Sequence, residues 1–289
     1  MKNCTKILNL ITLTLVLLYS TVAIAQDRIQ WVPLFKGIQA AHVEWSDPLM
    51  KISLLRINTN VGGIEFHTTG RHPEYADTTS ETDRRTTVDF LKENNLSVAI
   101  NGSFYTPFNQ STTVSRGPSN ITGLAIADGV VVSRPENNFP SFIITKKGKF
   151  EIRQVAPDES LDEIQLAVSG SAIVLKDGKV VTNADTSVHP RTAIGISRGA
   201  RYIYFMTIDG RQNGYSIGAT LEQVGFLLKK VGAAEGINLD GGGSTTMVYM
   251  TPQGEPALLN RPVGLGSPYS LRHNGNSIGV KAKNLPLSL

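Results

Sequence analysis

The nine residues from Asn238 to Thr246 have the types best suited to chemistry in this chain, reading Asn-Leu-Asp-Gly-Gly-Gly-Ser-Thr-Thr. Asp240 follows an apolar stretch, and a carboxylate followed by three glycines has few purely structural explanations. Glycine costs backbone entropy and is tolerated where a side chain would obstruct a ligand. Neighbouring hydroxyls and amides could then hold phosphate or sugar oxygens, whereas a P-loop is excluded because no lysine follows the glycines. The candidate ligand contacts here are Gly242, Gly243, Ser244 and Thr245.

A second carboxylate, Asp209, ends another apolar stretch and is followed by Gly210 and Arg211. Taken alone, Asp-Gly is typical of a hairpin turn. The chain between Asp209 and Asp240 contains a predicted helix, so the two carboxylates flank one strand-helix-strand unit. We therefore expect both to face a shared anion-accepting hollow, where two acidic groups could divide acid, base and nucleophile roles.

Cationic and amide side chains provide partners for an anionic substrate. Arg191 precedes a predicted strand and offers a planar fork for phosphate or carboxylate, with surface ion pairing as the alternative. His189 could donate to the same group or shuttle a proton, unless it is simply solvated. Asn101 is followed by Gly102, which favours a turn locally, although its amide could also bind a sugar hydroxyl. Without further support, the polar residues Asn260, Arg261 and Arg272 would be interpreted as surface residues.

Short strands joined by tight turns must position these groups. Asp-Gly and similar pairs separate β-prone runs, which predicts hairpins over residues 124–133, 142–152, 172–182 and 191–208. Helical spacing after Thr220, with Gln223 three residues on, predicts a capped helix ending near residue 231, and a second helix is expected over residues 87–94. The fold class predicted is α+β: a largely antiparallel sheet with a few packed helices in a single mixed domain.

The first 25 residues are typical of a secretory signal peptide, with Lys2 and Lys6 before an apolar run and Ala23-Ile24-Ala25 before Gln26. We expect residues 26–50 to hold an N-terminal arm, loose to about residue 35, and a first strand region, and residues 51–289 to form the domain. The single cysteine, Cys4, lies in the leader, so disulfides and thiol catalysis are not expected after cleavage. The net charge of +4 includes both leader lysines. The sequence has no block of lysine and arginine residues of the kind that would indicate nucleic-acid binding.

Five blocks in order resemble the phosphodiester glycosidase family, and the resemblance extends over about residues 51–280. The blocks are Asn101-Gly102-Ser103-Phe104-Tyr105, Pro190-Arg191-Thr192-Ala193-Ile194-Gly195, Asp209-Gly210-Arg211, Leu239-Asp240-Gly241-Gly242-Gly243-Ser244 and Asn260-Arg261-Pro262. The resemblance implies a mixed α/β fold and hydrolysis of a sugar-1-phosphodiester between the anomeric carbon and the phosphate oxygen. Departures from the family pattern are Ser103 for a frequent glycine and Thr245 for a frequent serine.

From the residue chemistry and the resemblance together, we expect catalytic roles for Asp240, Asp209 and Arg191. We expect substrate binding by Asn101, His189, Arg211, Gly242, Gly243, Ser244, Thr245, Asn260, Arg261 and Arg272. We expect an exported protein, periplasmic or secreted, without a membrane span after cleavage, that acts on a phosphorylated glycan or sugar phosphodiester and needs no cofactor.

Two other functions are compatible with the same residues. Asp209, Asp240 and Asn101 could supply oxygen ligands to calcium or magnesium in a metal-dependent phosphodiesterase. A glycan-binding protein without turnover is the non-enzymatic alternative. The sequence does not distinguish retaining from inverting hydrolysis, because the two outcomes depend on the distance between the two carboxylates.

Overall fold

An eight-stranded antiparallel sheet carries the candidate residues at one of its ends. The computed structural model describes residues 29–75, 78–109 and 113–286. With strands numbered in chain order, the order across this sheet is β1 (Val32–Phe35), β2 (Ile38–Ser46), β3 (Leu49–Asn58), β17 (Tyr202–Ile208), β16 (Arg191–Ser197), β18 (Ala233–Asn238), β14 (Ala172–Lys176) and β15 (Lys179–Val180).

Three smaller sheets complete the described part of the chain, and their strand pairs are also antiparallel. The second sheet has the order β10 (Val130–Ser133), β9 (Ala125–Ala127), β13 (Ile164–Ser169), β11 (Ser141–Thr145), β12 (Phe150–Arg153). The third has the order β20 (Pro256–Leu258), β19 (Met247–Met250), β6 (Val98–Asn101), β21 (Ser277–Lys281), β4 (Glu65–Thr68). A three-stranded sheet has the order β5 (Thr82–Asp83), β8 (Pro118–Ile121), β7 (Tyr105–Thr106).

The four predicted hairpins are confirmed as β9 with β10, β11 with β12, β14 with β15, and β16 with β17. In the first, Asp128 and Gly129 have φ of 51° and 77°, and Asp177 and Gly178 in the third have 51° and 74°. Two successive left-handed residues give the turn twist that matches the twist of paired strands, and Asp-Gly adopts that conformation at low cost.

Two helices occur in the described residues, α1 (Thr87–Glu93) and α2 (Leu221–Lys230), as predicted. Thr220 caps α2 through a complete capping box with Gln223, and the helix buries its apolar face against the large sheet. Of the residues that the structure describes, 11% are helical, short 3-10 turns included, and 43% are in strands. The antiparallel prediction is therefore confirmed, but the protein is predominantly β rather than an even α+β mixture.

The main core lies between the three largest sheets. Buried side chains from the eight-stranded sheet, such as Ile194 and Phe205, pack with Phe142 from the second sheet and Ile100 and Ile278 from the third. Alternation along each strand directs these side chains inward. The sheet ends that carry the candidate residues are thus fixed by one common core.

The described residues from Trp31 onward cluster into one compact unit, and residues 31–50 belong to it together with the predicted domain. Residues 32–35, expected in a loose arm, form β1, which pairs with β2, and β2 pairs with β3 along its full length. The predicted signal peptide lies outside the described residues. Within them, no helix combines the length and apolar character needed to cross a membrane.

Candidate active site

The predicted catalytic residues lie at one end of three neighbouring strands in the middle of the large sheet. Arg191 begins β16 and pairs with Ile208, the last residue of β17, and Asn238 at the end of β18 pairs with Ala193. Antiparallel pairing places the carboxyl ends of β17 and β18 beside the amino end of β16. Asp209 directly follows the end of β17, and Asp240 lies two residues after the end of β18.

The glycine segment after Asp240 packs closely against backbone and guanidinium groups. A Cβ atom on Gly241 would lie 2.6 Å from the carbonyl oxygen of Pro190, and the Gly242 amide donates to that oxygen at 2.9 Å. Gly242 has φ of +59°, a conformation that favours glycine. The chain can turn here only because these positions lack side chains.

Two arginines occupy the space that side chains on these glycines would fill. A Cβ atom on Gly242 would lie 3.1 Å from both terminal nitrogens of Arg211, and one on Gly243 would lie 2.5 Å from a terminal nitrogen of Arg272. Arg272 also donates from Nε to the carbonyl oxygen of Gly264 at 3.2 Å. The glycines therefore seat two guanidinium groups beside Asp240.

Asp240 lines a cavity of about 630 Å³ whose walls differ in chemistry. We call its polar lining residues the polar wall: Asp240, Gly241, Gly242, His189, Arg191, Arg211 and Arg272. We call the remaining, mostly aromatic lining residues the aromatic wall: Phe104, Tyr105, Phe108, Thr122 and Phe139. The two groups meet where Arg272 lies over the Phe108 ring, 4.8 Å from its centre. A cavity of this size can hold a sugar with an attached phosphate.

Arg191 and His189 are held in place within the polar wall. The buried Arg191 donates from Nε to the carbonyl oxygen of Ala219 at 2.9 Å and from a terminal nitrogen to that of Ser187 at 2.7 Å. His189 Nδ1 lies 3.3 Å from a terminal nitrogen of Arg211. Burial and the two neighbouring arginines lower the pKa of His189, which favours the neutral ring at pH 7.

Burial raises the pKa of Asp240 from 3.8 to about 6, against the opposing effects of Ser244, Arg272 and the Gly241 amide. Ser244 and Thr245 are both buried, and neither is among the residues that line the cavity. The Ser244 side chain acts on the Asp240 carboxylate, whose pKa it lowers.

Asn101 lies behind Asp240 and not in the cavity, which corrects its prediction as a substrate contact. Its amide nitrogen donates to the carbonyl oxygen of Asp240 at 2.7 Å. Its amide oxygen accepts from Thr192 Oγ1 at 2.7 Å and from the Thr246 amide at 3.1 Å. The side chain is fully buried, so it positions the backbone that carries Asp240.

Asp209 lines a different cavity, of about 230 Å³, together with Asn260 and Arg261. The expectation that Asp209 and Asp240 share one hollow is therefore wrong. The physical reason is that Asp209 is turned toward the chain at residues 260–261, where it accepts from Asn260 Nδ2 at 2.9 Å and from the Arg261 amide at 3.0 Å. Burial raises the pKa of Asp209 to about 6 despite these bonds. Arg261 stacks on Tyr215, 4.6 Å from the ring centre.

The set of Asp209, Asp240 and Asn101 considered for a divalent cation is consequently not brought together. Among residues 29–75, 78–109 and 113–286, no group of three or more His, Cys, Asp and Glu side chains is arranged to hold a metal ion.

The aromatic wall was not predicted from the sequence as part of a site. Phe104 and Tyr105 belong to the first family block, and their position directly after Asn101 was the available signal. Phe108 and Phe139 lie in segments with no pattern that distinguishes them, and they reach the cavity only through the packing of three sheets around it.

The comparisons with known proteins agree with this architecture. A family model described as phosphodiester glycosidase matches residues 94–281. The catalytic domain of zebrafish N-acetylglucosamine-1-phosphodiester alpha-N-acetylglucosaminidase, auto-inhibited by a pro-peptide, is similar over 87% of this chain and 85% of its own, with 20% identity and a TM-score of 0.63. No curated protein matches the sequence.

Two further solved structures share the fold. A hypothetical protein from Synechocystis is similar over 90% of this chain and 64% of its own, with 15% identity and a TM-score of 0.61. A candidate exported protein from Burkholderia pseudomallei is similar over 81% of this chain and 74% of its own, with 14% identity and a TM-score of 0.51. At these identities the likeness to all three structures concerns the fold.

Proposed function

The chain belongs to the phosphodiester glycosidase family, and from this premise we propose that it hydrolyses the glycosidic bond of a sugar-1-phosphodiester. In this reaction water adds to the anomeric carbon and the bond from that carbon to the phosphate oxygen breaks. The products are a free sugar and a phosphomonoester.

The observation that carries the proposal is one carboxylate, Asp240, facing three guanidinium groups in the cavity. With His189 neutral, the charged lining residues sum to two positive charges when Asp240 is ionised. A phosphodiester carries one negative charge, whereas the phosphomonoester product approaches two near pH 7. The wall therefore stabilises the charge that develops as the glycosidic bond breaks, which is the condition for electrostatic catalysis.

Asp240 acts on the sugar side of the same bond. An ionised carboxylate stabilises an oxocarbenium-like centre, and it can either attack the anomeric carbon or activate water. A clamped phosphate is a fair leaving group, so the leaving oxygen needs no separate acid. The configuration of the released sugar distinguishes the two routes, since direct attack by Asp240 retains the anomer and direct attack by water inverts it.

The aromatic wall supplies a surface for the apolar face of a sugar ring. Phe104 and Phe139 line the same cavity as the arginines. Aromatic rings bury large apolar areas at a small entropic cost, and they suit ligands that have one apolar and one polar face. The sugar is accordingly placed against this wall and the phosphate against the guanidinium groups.

Isotope labelling tests which bond breaks. The purified protein is incubated in ¹⁸O-water with methyl phosphodiesters of glucose, mannose and N-acetylglucosamine 1-phosphates, and each product is weighed by mass spectrometry. Label in the sugar supports cleavage at the anomeric carbon, whereas label in the phosphate indicates a phosphodiesterase and overturns the proposal. Binding without turnover of any diester indicates a glycan-binding protein.

Metal dependence is tested in the same reaction by adding EDTA. The arginine wall already supplies positive charge at the phosphate, so we expect release of sugar to survive the chelator. Loss of activity that returns with calcium or magnesium would assign that charge to a bound cation.

N-acetylglucosamine is included in the substrate panel because the zebrafish relative is named for that sugar.

We also propose export by the predicted leader. Mass spectrometry of the protein expressed in a bacterial host should show a mature chain beginning at Gln26 in the periplasm or medium, and an intact Met1 in the cytoplasm would contradict export.

A further inference from the structure

Asp209 is a buried carboxylate that the proposed reaction does not use. Only 3% of its surface is exposed, and four hydrogen-bond contacts reach its two oxygens. One oxygen accepts from Asn260 Nδ2 at 2.9 Å, both accept from the Arg261 amide at 3.0 Å, and the second also accepts from the Tyr215 hydroxyl at 3.3 Å. Burying a carboxylate is costly unless such donors surround it.

Asn260 continues this contact toward the site. Its amide nitrogen donates to the carbonyl oxygen of Thr245 at 3.1 Å as well as to Asp209, and its amide oxygen accepts from the Met247 amide at 2.7 Å. Asn260 is itself 6% exposed. The backbone that follows the glycine segment is therefore held by a side chain whose other partner is Asp209.

The chemistry of the two side chains fixes their orientation. An ionised carboxylate only accepts hydrogen bonds, so Asn260 must present its nitrogen to Asp209. Its oxygen then accepts from the Met247 amide. Without the carboxylate, the Asn260 nitrogen keeps only the Thr245 carbonyl oxygen as its acceptor, so the side chain is held less firmly against residues 245–247.

We propose that Asp209 is a positioning residue that acts through Asn260 to fix the chain at residues 244–247, and with it the glycine segment that seats Arg211 and Arg272. Asn101 holds the same chain from the opposite side, through the Asp240 carbonyl oxygen and the Thr246 amide. The inference rests on the proposed function only for its kinetic readout, because the position of the chain can be measured without substrate.

A double-mutant cycle tests the route through Asn260. Asp209→Ala, which removes the acceptor oxygens, Asn260→Ala and the double variant are compared with wild type on the best sugar-1-phosphodiester. Loss of a hydrogen bond to a buried charge should lower kcat at least about tenfold in each single variant while KM changes about threefold or less. Because both residues act as one unit, the double variant should be no slower than the slower single variant, within about twofold.

Tyr215→Phe is the matched control. It removes the 3.3 Å contact to the same carboxylate but leaves the ring on which Arg261 stacks and leaves the link to Asn260 intact. We expect its kcat to remain within about twofold of wild type. Independent, multiplying losses in the double variant, or a loss in Tyr215→Phe as large as in Asp209→Ala, would overturn the proposal.

Amide hydrogen exchange gives a readout that does not depend on activity. The Met247 amide bonds to Asn260 and should exchange at least about tenfold faster in Asp209→Ala and Asn260→Ala, whereas the Thr246 amide bonds to Asn101 and should change little. If Asp209→Ala does not fold, Asp209→Leu, which has a similar shape and no acceptor, replaces it in both measurements. Unchanged Met247 exchange overturns the positioning role, while absence of turnover in wild type overturns only the proposed function.

Discussion

Replacing Asp240 with asparagine should abolish activity and at the same time stabilise the protein at neutral and alkaline pH. Burial raises the pKa of this carboxyl from 3.8 to about 6, so the folded protein holds the proton more tightly than the unfolded chain does. One pKa unit corresponds to about 1.4 kcal/mol, so ionised Asp240 costs about 3 kcal/mol of folding free energy at pH 8. Asparagine keeps the shape and removes the charge.

The pH dependence follows from the same shift. Because the folded pKa is raised, the penalty is absent below about pH 4, appears as pH rises from about 4 to 6, and is complete above that range. Asp209 also has a raised pKa, but it is present in both proteins and cancels in the difference. The Asp240→Asn variant should therefore exceed wild type by about 3 kcal/mol at pH 8 and equal it near pH 4.

Urea unfolding followed by tryptophan fluorescence at about pH 4, 6 and 8 measures this difference, and release of sugar from the phosphodiester measures activity. Loss of the catalytic carboxylate should reduce kcat at least about a thousandfold. A stability difference that does not vary with pH would show that burial does not raise the pKa of the Asp240 carboxyl. A variant that is less stable than wild type at pH 8 would refute the reasoning, and a fully active variant would remove Asp240 from the mechanism.

Three further predictions concern the packing of Arg272 against the glycine segment, the binding of phosphate, and the stability of the fold. Gly243→Ala places a Cβ atom 2.5 Å from Arg272 and should lower kcat/KM about tenfold or more, whereas Gly62→Ala, with open space around it, should not. Inorganic phosphate should inhibit competitively, and Arg272→Ala should raise its inhibition constant about tenfold, because the ion loses one charged partner. Thr220→Ala removes the capping box of α2 and should cost about 1 kcal/mol in urea unfolding, without change in KM.

Local rules in the sequence account for much of the fold. The hairpins at Asp128-Gly129 and Asp177-Gly178 follow from turn chemistry, and the helix after Thr220 follows from its cap and its 3.6-residue spacing. Strand β1 was not predicted, because residues 32–35 show no clear alternation of apolar and polar side chains. They form a strand only by pairing with β2, which the rest of the sheet holds in place. Pairing with distant chain decides such a strand, and local patterns do not encode it.

The site could be predicted in composition but not in orientation. Asp209 and Asp240 both end apolar strands beside glycines, so their sequence surroundings are nearly equivalent. The cavity that each carboxylate faces depends on Asn260, 51 residues beyond Asp209, because the Asn260 side-chain amide donates a hydrogen bond to Asp209. Asn101 is a similar case, because its partners at Thr192 and Thr246 come from other strands and loops.

The two walls of the cavity have different evolutionary freedom because they come from different kinds of structure. The arginines rest on glycine α-carbons and strand ends, where nearly any replacement collides with main chain or guanidinium. Phe104 lies between β6 and β7 within the first family block, whereas Phe108 follows β7 and Phe139 lies between β10 and β11, in connecting segments that tolerate change. In the proposed reaction, exchange of Phe108 or Phe139 would change the preferred sugar while the arginines that bind phosphate stay in place.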